Sequence, residues 1–212
     1  MTRSAKDTKI WTVAYVVVAT VSAILFFVMQ PDEEEDTKGT APSKTVSAMQ
    51  GETEATLAKL NLVLPAPSTP KGNYVQCVPV NDNLLHLCGH IPTNSETGEL
   101  ITGKVGKDLS VEEGYEAAKA CALAIISTLQ NFLGKGQLDR VKRIVKVVGF
   151  VNCTDDFTQQ PSVINGASDL FGAVFGERGK HARSAVGTNA LPLNVATEVE
   201  CIVELHSHIT SV

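Results

Sequence analysis

An arginine and a glutamate near the C-terminus have the residue types best suited to a chemical role. Arg183 begins a short β-prone run, and Glu198 follows it beyond a turn at Leu191 and Pro192. A guanidinium presents a planar fork of N–H groups that binds a carboxylate through two parallel hydrogen bonds. The turn would bring Arg183 and Glu198 onto neighbouring strands. The sequence therefore predicts a site for a small carboxylate with an acid group beside it.

The stretch that carries Glu198 has the period-two alternation of a strand with one apolar face. Its apolar positions are Val199, Cys201, Val203 and Leu205, and the positions between them are Glu198, Glu200, Ile202 and Glu204. Such a strand places its apolar side in a core and its carboxylates on the opposite face of the sheet.

The rest of the sequence predicts strands and helices, and these elements must position Arg183 and Glu198. A Ser110 capping box opens a helix that ends at Gly134. The predicted strands cover 74–80, 84–88, 140–152, 183–187 and 198–205, and the predicted helices cover 110–133 and 162–175. The order β-β-α-β-α-β-β predicts an α+β fold with an antiparallel or mixed sheet and two helices on one face. The other face then needs a cover, which favours self-association.

Composition restricts the classes of function. The chain has 212 residues, 43% of them hydrophobic and 19% charged, as one globular domain requires, and its net charge is -5. An acidic chain with few aromatic residues lacks the basic footprint of a nucleic-acid binder. Its five cysteines are dispersed without metal-ligand spacing and its histidines are scattered, so we predict no metal.

The N-terminus has the pattern of a membrane anchor. Residues 10–29 carry no charge and are long enough to cross a bilayer as a helix. Basic residues precede this span and acidic residues follow it, which predicts a cytoplasmic tail at 1–9 and a domain on the lumenal or extracytoplasmic side. The organelle is open, and a mitochondrial membrane is one alternative. We expect a flexible acidic linker with a short helix at 30–64, the domain at 65–208 and a tail at 209–212.

Several motifs resemble those of the RidA/YjgF family, also called endoribonuclease L-PSP, and they occur in that family's order from about residue 65 to 206. They are GNYVQ at 72–76, LCGHIP at 87–92, KVVGFVNCTDDF at 146–157, INGASDLF at 164–171, ARSAV at 182–186 and EVECIVE at 198–204. Several spellings are similar to a less characterised branch. The resemblance implies a chorismate-mutase-like fold, a homotrimer with clefts between subunits, and hydrolysis of enamines and imines to 2-keto acids without a cofactor.

The resemblance also implies roles for individual residues. Arg183 would hold the substrate carboxylate, and Glu198 would activate the attacking water and move its proton. The substrate-binding residues would be Tyr74, Cys88, Gly89, Asn165 and Ala185.

Departures from the family pattern leave a second function open. Cys88 replaces a usual serine, Ser168 a tyrosine, Ala185 a frequent cysteine, and Asn73 a proline. One hypothesis is a membrane-anchored imine deaminase, and the alternative is a trimer that binds keto acids without catalysis. In either case the expected partners are a small carboxylate, two further copies of the chain and a lipid bilayer through 10–29, with no nucleic acid.

Overall fold

The computed structural model describes residues 51–206 except Asp82. The elements in chain order are α1 (Glu52–Lys59), β1 (Cys77–Val80), β2 (Leu84–His90), α2 (Val111–Leu133), β3 (Val141–Asn152), α3 (Gln160–Phe175), β4 (Ala182–Thr188) and β5 (Thr197–Leu205). Single turns of 3-10 helix occupy Leu138–Arg140, Gly176–Gly179 and Pro192–Asn194. The predicted α+β class is confirmed.

The five strands form one mixed sheet in the order β1-β2-β5-β3-β4. Strand β3 runs antiparallel to β5 and parallel to β4, with α3 as the crossover between β3 and β4. The prediction that the runs carrying Arg183 and Glu198 are neighbours is therefore wrong. Strand β4 returns from the α3 crossover to pair in parallel with β3, and β5 pairs with the other edge of β3, so β3 separates β4 from β5.

Helices α2 and α3 pack together on one face of the sheet. The capping box of α2 forms as predicted, with Glu113 N–H donating to Ser110 Oγ and the Ser110 N–H to the Glu113 carboxylate. A Cβ at Gly166 of α3 would lie 2.9 Å from the backbone carbon of Tyr115 in α2. At Gly149 of β3 it would lie 2.5 Å from Ile164 of α3. Glycine at these two positions allows helix and sheet backbones to approach closely, which fixes α3 against the sheet.

The opposite face of the sheet carries valines with substantial exposure in the single chain. The exposed fractions are 45% for Val78, 36% for Val80 and 44% for Val186. Polar and charged groups lie among them, including Glu200 and the pair in which Lys146 Nζ donates to Ser184 Oγ at 2.9 Å. We call this the open face. Its mixture of apolar and polar side chains is typical of a surface that meets another protein.

Helix α1 is part of the packed unit, which therefore begins ahead of the predicted boundary at residue 65. Leu57 is 5% exposed and belongs to the core. The N-cap residue Gly51 has no side chain to cap the helix, and Asp139 supplies the missing acceptor for the N–H groups of Glu52 at 2.7 Å and Thr53 at 3.0 Å. Arg178 donates to Thr53 Oγ1 at 3.0 Å and lies 3.5 Å from the Asp139 carboxylate.

These contacts keep Asp139 charged although it is buried. Burial works against the charge, but the hydrogen bonds from Thr53 and Glu52 outweigh it, so the pKa of Asp139 is lowered. The cluster of Glu52, Thr53, Asp139 and Arg178, which we call the α1 clamp, joins α1 to the core through polar contacts.

The predicted membrane span at 10–29, the tail at 1–9, most of the linker and the tail at 209–212 lie outside the described residues. Between residues 51 and 206, no helix combines the length and the apolar character needed to cross a bilayer.

Candidate functional site

Arg183 lies at the start of the edge strand β4 and is held against α3. One guanidinium nitrogen, Nη1, donates to Asn165 Oδ1 and to Ser168 Oγ, each at 2.9 Å. The other, Nη2, donates to the carbonyl oxygen of Pro161 at 3.3 Å. Asn165 and Ser168 are three residues apart and so project from the same face of α3. The first turns of α3 therefore set the direction of this arginine.

The charge of Arg183 is not neutralised within the described part of the chain. Its three acceptors are an amide oxygen, a hydroxyl and a backbone carbonyl, all uncharged, and no ion pair between residues 51 and 206 includes it. A guanidinium has five N–H donors, so three hydrogen bonds leave two donors without an acceptor there. A half-buried cation with two free donors is suited to bind an anion such as a carboxylate.

Glu198 lies on the other face of the sheet from Arg183. Arg183 pairs with Val147, and Val147 pairs with Cys201, so these three residues form one row across the sheet and share the helix-covered face. Glu198 is an odd number of residues from Cys201 on the regular strand β5 and therefore points to the open face. One chain alone does not bring the predicted arginine and glutamate together.

Glu198 and Gly89 meet at an irregularity in β2. The register between β2 and β5 shifts between Leu87 and His90, which places a β-bulge at Cys88 and Gly89. A Cβ at position 89 would lie 2.7 Å from Glu198 Cδ and closer still to Oε1, so only glycine leaves room for the carboxylate. Burial, with a smaller effect of Glu200, raises the pKa of Glu198. A carboxyl with a raised pKa is suited to exchange protons nearer neutral pH.

We expect Gly89→Ala to lower the free energy of unfolding by about 1–3 kcal/mol, because the new methyl group and the Glu198 side chain would overlap. The cost should shrink in a Glu198→Ala background, where the overlapping group is gone. Gly172→Ala in α3 is the matched control, since nothing outside its own helix lies within 4 Å of the added Cβ. Urea unfolding of Gly89→Ala, Glu198→Ala, the variant with both substitutions and Gly172→Ala measures these free energies of unfolding. Equal costs for Gly89→Ala in both backgrounds would contradict the overlap.

The bulge is held from the core by His90, which sequence reasoning did not assign to the site. His90 is 3% exposed, its Nδ1 lies 2.8 Å from the carbonyl oxygen of Cys88, and its Nε2 lies 2.8 Å from Thr128 Oγ1 of α2. Because a carbonyl can only accept, Nδ1 carries the proton and Nε2 accepts from the threonine hydroxyl. Burial lowers the pKa of His90 and keeps it neutral.

The remaining predicted site residues are distributed between these places. Cys88 is a protonated thiol rather than a nucleophile, because burial, Glu198 and Glu200 raise its pKa. Ala185 follows Arg183 on the same face of β4, is partly buried and pairs with Gly149. Tyr74 is 47% exposed ahead of β1, where its hydroxyl accepts from the Lys71 N–H at 3.2 Å.

The structure thus groups the predicted residues other than Tyr74 in two sets. Arg183, Asn165 and Ala185 lie at the junction of α3 and β4, whereas Glu198, Gly89 and Cys88 lie at the bulge of β2. Among residues 51–206 without Asp82, no three His, Cys, Asp or Glu side chains are close enough to hold a metal ion.

Two further residues at the arginine were missed as site residues. The sequence identifies Ser168 only as a departure from a family pattern and His181 only as one of several scattered histidines. Ser168 Oγ lies 3.0 Å from His181 Nε2 and also accepts from Arg183. The spacing of Asn165 and Ser168 on one helix face could have indicated the serine. No local signal indicates His181, because its contact depends on how α3 lies against β4.

Comparison with known proteins gives one consistent family. The family model described as "YjgF/chorismate_mutase-like, putative endoribonuclease" matches residues 54–208. Protein TCP17 of Trypanosoma cruzi is 48% identical over 158 residues, which are 74% of this chain and 96% of that protein. The 2-iminobutanoate/2-iminopropanoate deaminase of the mite Dermatophagoides farinae is 29% identical over 139 residues, 66% of this chain and 91% of the relative.

A solved structure supports the same relationship. The crystal structure of a protein of unknown function from Agrobacterium tumefaciens matches with a TM-score of 0.66 at 39% sequence identity. The match covers 75% of this chain and 97% of that chain. The resemblance in fold thus extends over nearly the whole of the solved protein.

Proposed function

The chain belongs to the YjgF/RidA family, and from that premise we propose that it hydrolyses 2-imino acids to 2-keto acids and ammonia. The observation that carries the proposal is Arg183, a half-buried cation that uncharged acceptors orient and that no carboxylate neutralises within the described residues. A small acid with a carboxylate next to its reactive carbon would complete this site. The deaminase named among the relatives acts on substrates of that class.

We propose that the active site is assembled from two copies of the chain in a homotrimer. Arg183 and Glu198 of one chain face opposite sides of the sheet. The glutamate that acts on a substrate held by Arg183 must therefore come from another copy of the chain. A neighbouring copy whose open face packs beside the junction of α3 and β4 would supply Glu198, and this packing would also cover Val78 and Val186. The family's trimeric assembly, which the sequence resemblance implies, agrees with this arrangement.

In the proposed reaction, the two free N–H donors of Arg183 bind the carboxylate and hold the imine carbon in place. Glu198 of the neighbouring copy takes a proton from water as the oxygen forms a bond to that carbon. The proton passes to the imine nitrogen and gives a carbinolamine. Glu198 then moves a second proton from the new hydroxyl to the amine, the C–N bond breaks, and ammonia leaves as the carbonyl forms. The raised pKa of Glu198 suits a group that must both accept and return a proton.

The test is ammonia release by the full-length protein from 2-iminobutanoate, generated in the assay by an amino-acid oxidase. We expect faster ammonia release than the uncatalysed hydrolysis of the imine. The control substrate is the imine of the amino-acid amide, which lacks the carboxylate. The protein should accelerate its hydrolysis only slightly. Equal acceleration of both substrates would exclude Arg183 as a carboxylate anchor. Stabilisation by 2-ketobutyrate without ammonia release would show the alternative function, binding without catalysis.

We also propose that residues 10–29 anchor the domain to a membrane with the N-terminus on the cytoplasmic side. The support is the length of this uncharged run and the basic residues ahead of it. Alkaline carbonate should leave the full chain in the membrane pellet and release a chain lacking 10–29. Release of both chains would contradict the anchor. Protease added to intact compartments would show on which side the domain lies.

A further inference from the structure

Arg183 shares one of its hydrogen-bond acceptors with a histidine. Ser168 Oγ lies 2.9 Å from Arg183 Nη1 and 3.0 Å from His181 Nε2, so one oxygen bridges the two side chains. The other ring nitrogen, His181 Nδ1, lies 2.6 Å from the carbonyl oxygen of Gly179. The ring also packs edge-on against Phe171, with ring centroids 5.9 Å apart. The histidine is therefore fixed in position behind the arginine.

The direction of each hydrogen bond follows from the donors and acceptors available. The Gly179 carbonyl can only accept, so Nδ1 of His181 carries the proton and Nε2 of the neutral ring is an acceptor. The Ser168 hydroxyl must then donate to Nε2, which leaves its oxygen lone pairs to accept from Arg183. The chain of donors runs from Arg183 through Ser168 to His181 and ends at the Gly179 carbonyl.

We propose that Ser168 and His181 form a proton-sensitive positioning device for Arg183, in which neutral His181 holds the arginine in its carboxylate-binding orientation and protonated His181 releases it. The carboxylate-binding role of Arg183 comes from the proposed function, on which this inference rests. Neither residue needs to touch the substrate, because both act through the guanidinium.

Protonation of His181 would reverse the bond on which the arrangement depends. Nε2 would become a donor and compete with Arg183 for the Ser168 oxygen. Two positive charges would then lie on the order of 6 Å apart or less on either side of one hydroxyl. The arginine, on an edge strand with a long flexible side chain, can move away more easily than the ring, which Phe171 and Gly179 hold.

The surroundings of His181 favour its neutral form at neutral pH. Burial first, and the charge of Arg183 as a further cause, lower the pKa of His181, while its bond to Gly179 acts in the opposite direction. The ring is therefore neutral at pH 7.5. It gains a proton only when the pH falls below the ordinary pKa of a histidine. The charged groups on the elements around it are Arg183 on β4, Glu177 and Arg178 in the preceding turn, Lys180, and Asp169 on α3.

Most of these groups are engaged elsewhere. Glu177 and Lys180 pair with each other at 2.6 Å, and Arg178 is a member of the α1 clamp, where it lies 3.5 Å from the Asp139 carboxylate. Asp169 accepts from Tyr115 Oη at 3.0 Å. Arg183 is thus the charged group that shares a hydrogen-bond partner with His181, and the coupling is between these two.

Protonation of His181 has two opposing effects on the binding of a carboxylate. A protonated histidine attracts an anion, but the anion would lie beyond the guanidinium, where solvent and salt screen the attraction. Displacement of Arg183 removes two charge-assisted hydrogen bonds at contact distance. The second effect is the larger, so acid should weaken carboxylate binding.

The first measurement follows the titration of His181 by NMR in full-length protein labelled at histidine Cε1, with the signal assigned by its loss in His181→Gln. We expect a neutral Nδ1–H tautomer and a pKa below the ordinary value. Arg183→Gln should raise that pKa, because a positive charge beside the ring is removed. Ser168→Ala should raise it as well, because the neutral ring loses a donor. An unchanged pKa in both variants would overturn the proposal without reference to any ligand.

The second measurement is the dissociation constant of 2-ketobutyrate at pH 7.5 and pH 5.0 by calorimetry. The wild-type value should rise roughly tenfold or more in acid, as expected when a charge-assisted pair is lost. His181→Gln can donate to Gly179 and accept from Ser168 without titrating, so it should bind at pH 7.5 and show a smaller rise. Glu198 titrates in both proteins, so their difference isolates His181.

The outcomes separate the two ideas. NMR coupling together with pH-dependent binding that His181→Gln abolishes supports the positioning device. Coupling without any binding of 2-ketobutyrate would refute the proposed function and leave the device in place. Coupling with identical pH dependence in wild type and His181→Gln would refute the control of carboxylate binding by His181.

Discussion

Arg183→Ala is expected to lower kcat/KM for the imino acid substrate by about 100- to 10,000-fold. The estimate follows from two hydrogen bonds to an ionised carboxylate, each contributing roughly 1.5–3 kcal/mol. Asn165, Ser168 and Pro161 already orient the guanidinium, so little order has to be created when substrate binds. Arg183→Lys should recover only part of the loss, since an ammonium cannot present the same planar fork.

Arg143→Ala is the matched control for this loss. Arg143 lies on β3, its side chain is 61% exposed, and its nearest carboxylate, Glu204, is 3.8 Å away. An exposed pair of this kind contributes little to stability, and Arg143 is outside the proposed site. Steady-state ammonia release from the three arginine variants makes the comparison. A similar loss in Arg183→Ala and Arg143→Ala would mean that overall charge, rather than a carboxylate anchor, explains the effect.

Mixed trimers of Arg183→Ala and Glu198→Gln chains are expected to regain activity although each variant alone is inactive. If each cleft takes its arginine from one copy and its glutamate from the next around the ring, any trimer with both kinds of chain has one intact cleft. Mixed trimers should therefore show about one third of the wild-type activity. Co-expression of the two chains with different affinity tags, followed by purification on both tags, isolates these trimers for assay.

The control pairs Arg183→Ala chains with chains that carry both substitutions. No chain in that mixture supplies the arginine, so activity should not return. A failure of the first mixture, with trimers present by mass measurement, would mean that the arginine and the glutamate act within one chain. The row of Arg183, Val147 and Cys201 argues against that outcome, because it places Arg183 and Glu198 on opposite faces of one sheet.

Local patterns predicted the elements well. The alternation at Val199 and Cys201 predicts β5 and its buried face, and the capping box at Ser110 marks the start of α2. Such signals depend on neighbours in sequence, through side-chain direction in a strand or hydrogen bonds in a first helical turn. The composition of the core follows from the same patterns.

Features of the site that depend on distant contacts could not be predicted from local patterns. The α3 crossover returns the chain beside β3, and this decides which strands neighbour β4 and β5. The local turn at Leu191 connects β4 to β5 but does not predict that β3 lies between them. The bulge at Gly89 depends on a carboxylate from β5 and a histidine bound to α2. The approach of His181 to Ser168 likewise requires α3 to lie close on Gly149.

The α1 clamp determines where mechanical load on the N-terminus is first resisted. A pull transmitted through the preceding residues reaches Glu52 and Thr53 before any strand, and Asp139 and Arg178 hold those residues to the body of the domain. Strand β1, only four residues long at the sheet edge, lies behind that attachment and is spared the tension. Traction on the leading segment would thus be resisted by a charged cluster that includes none of the residues bound to Arg183.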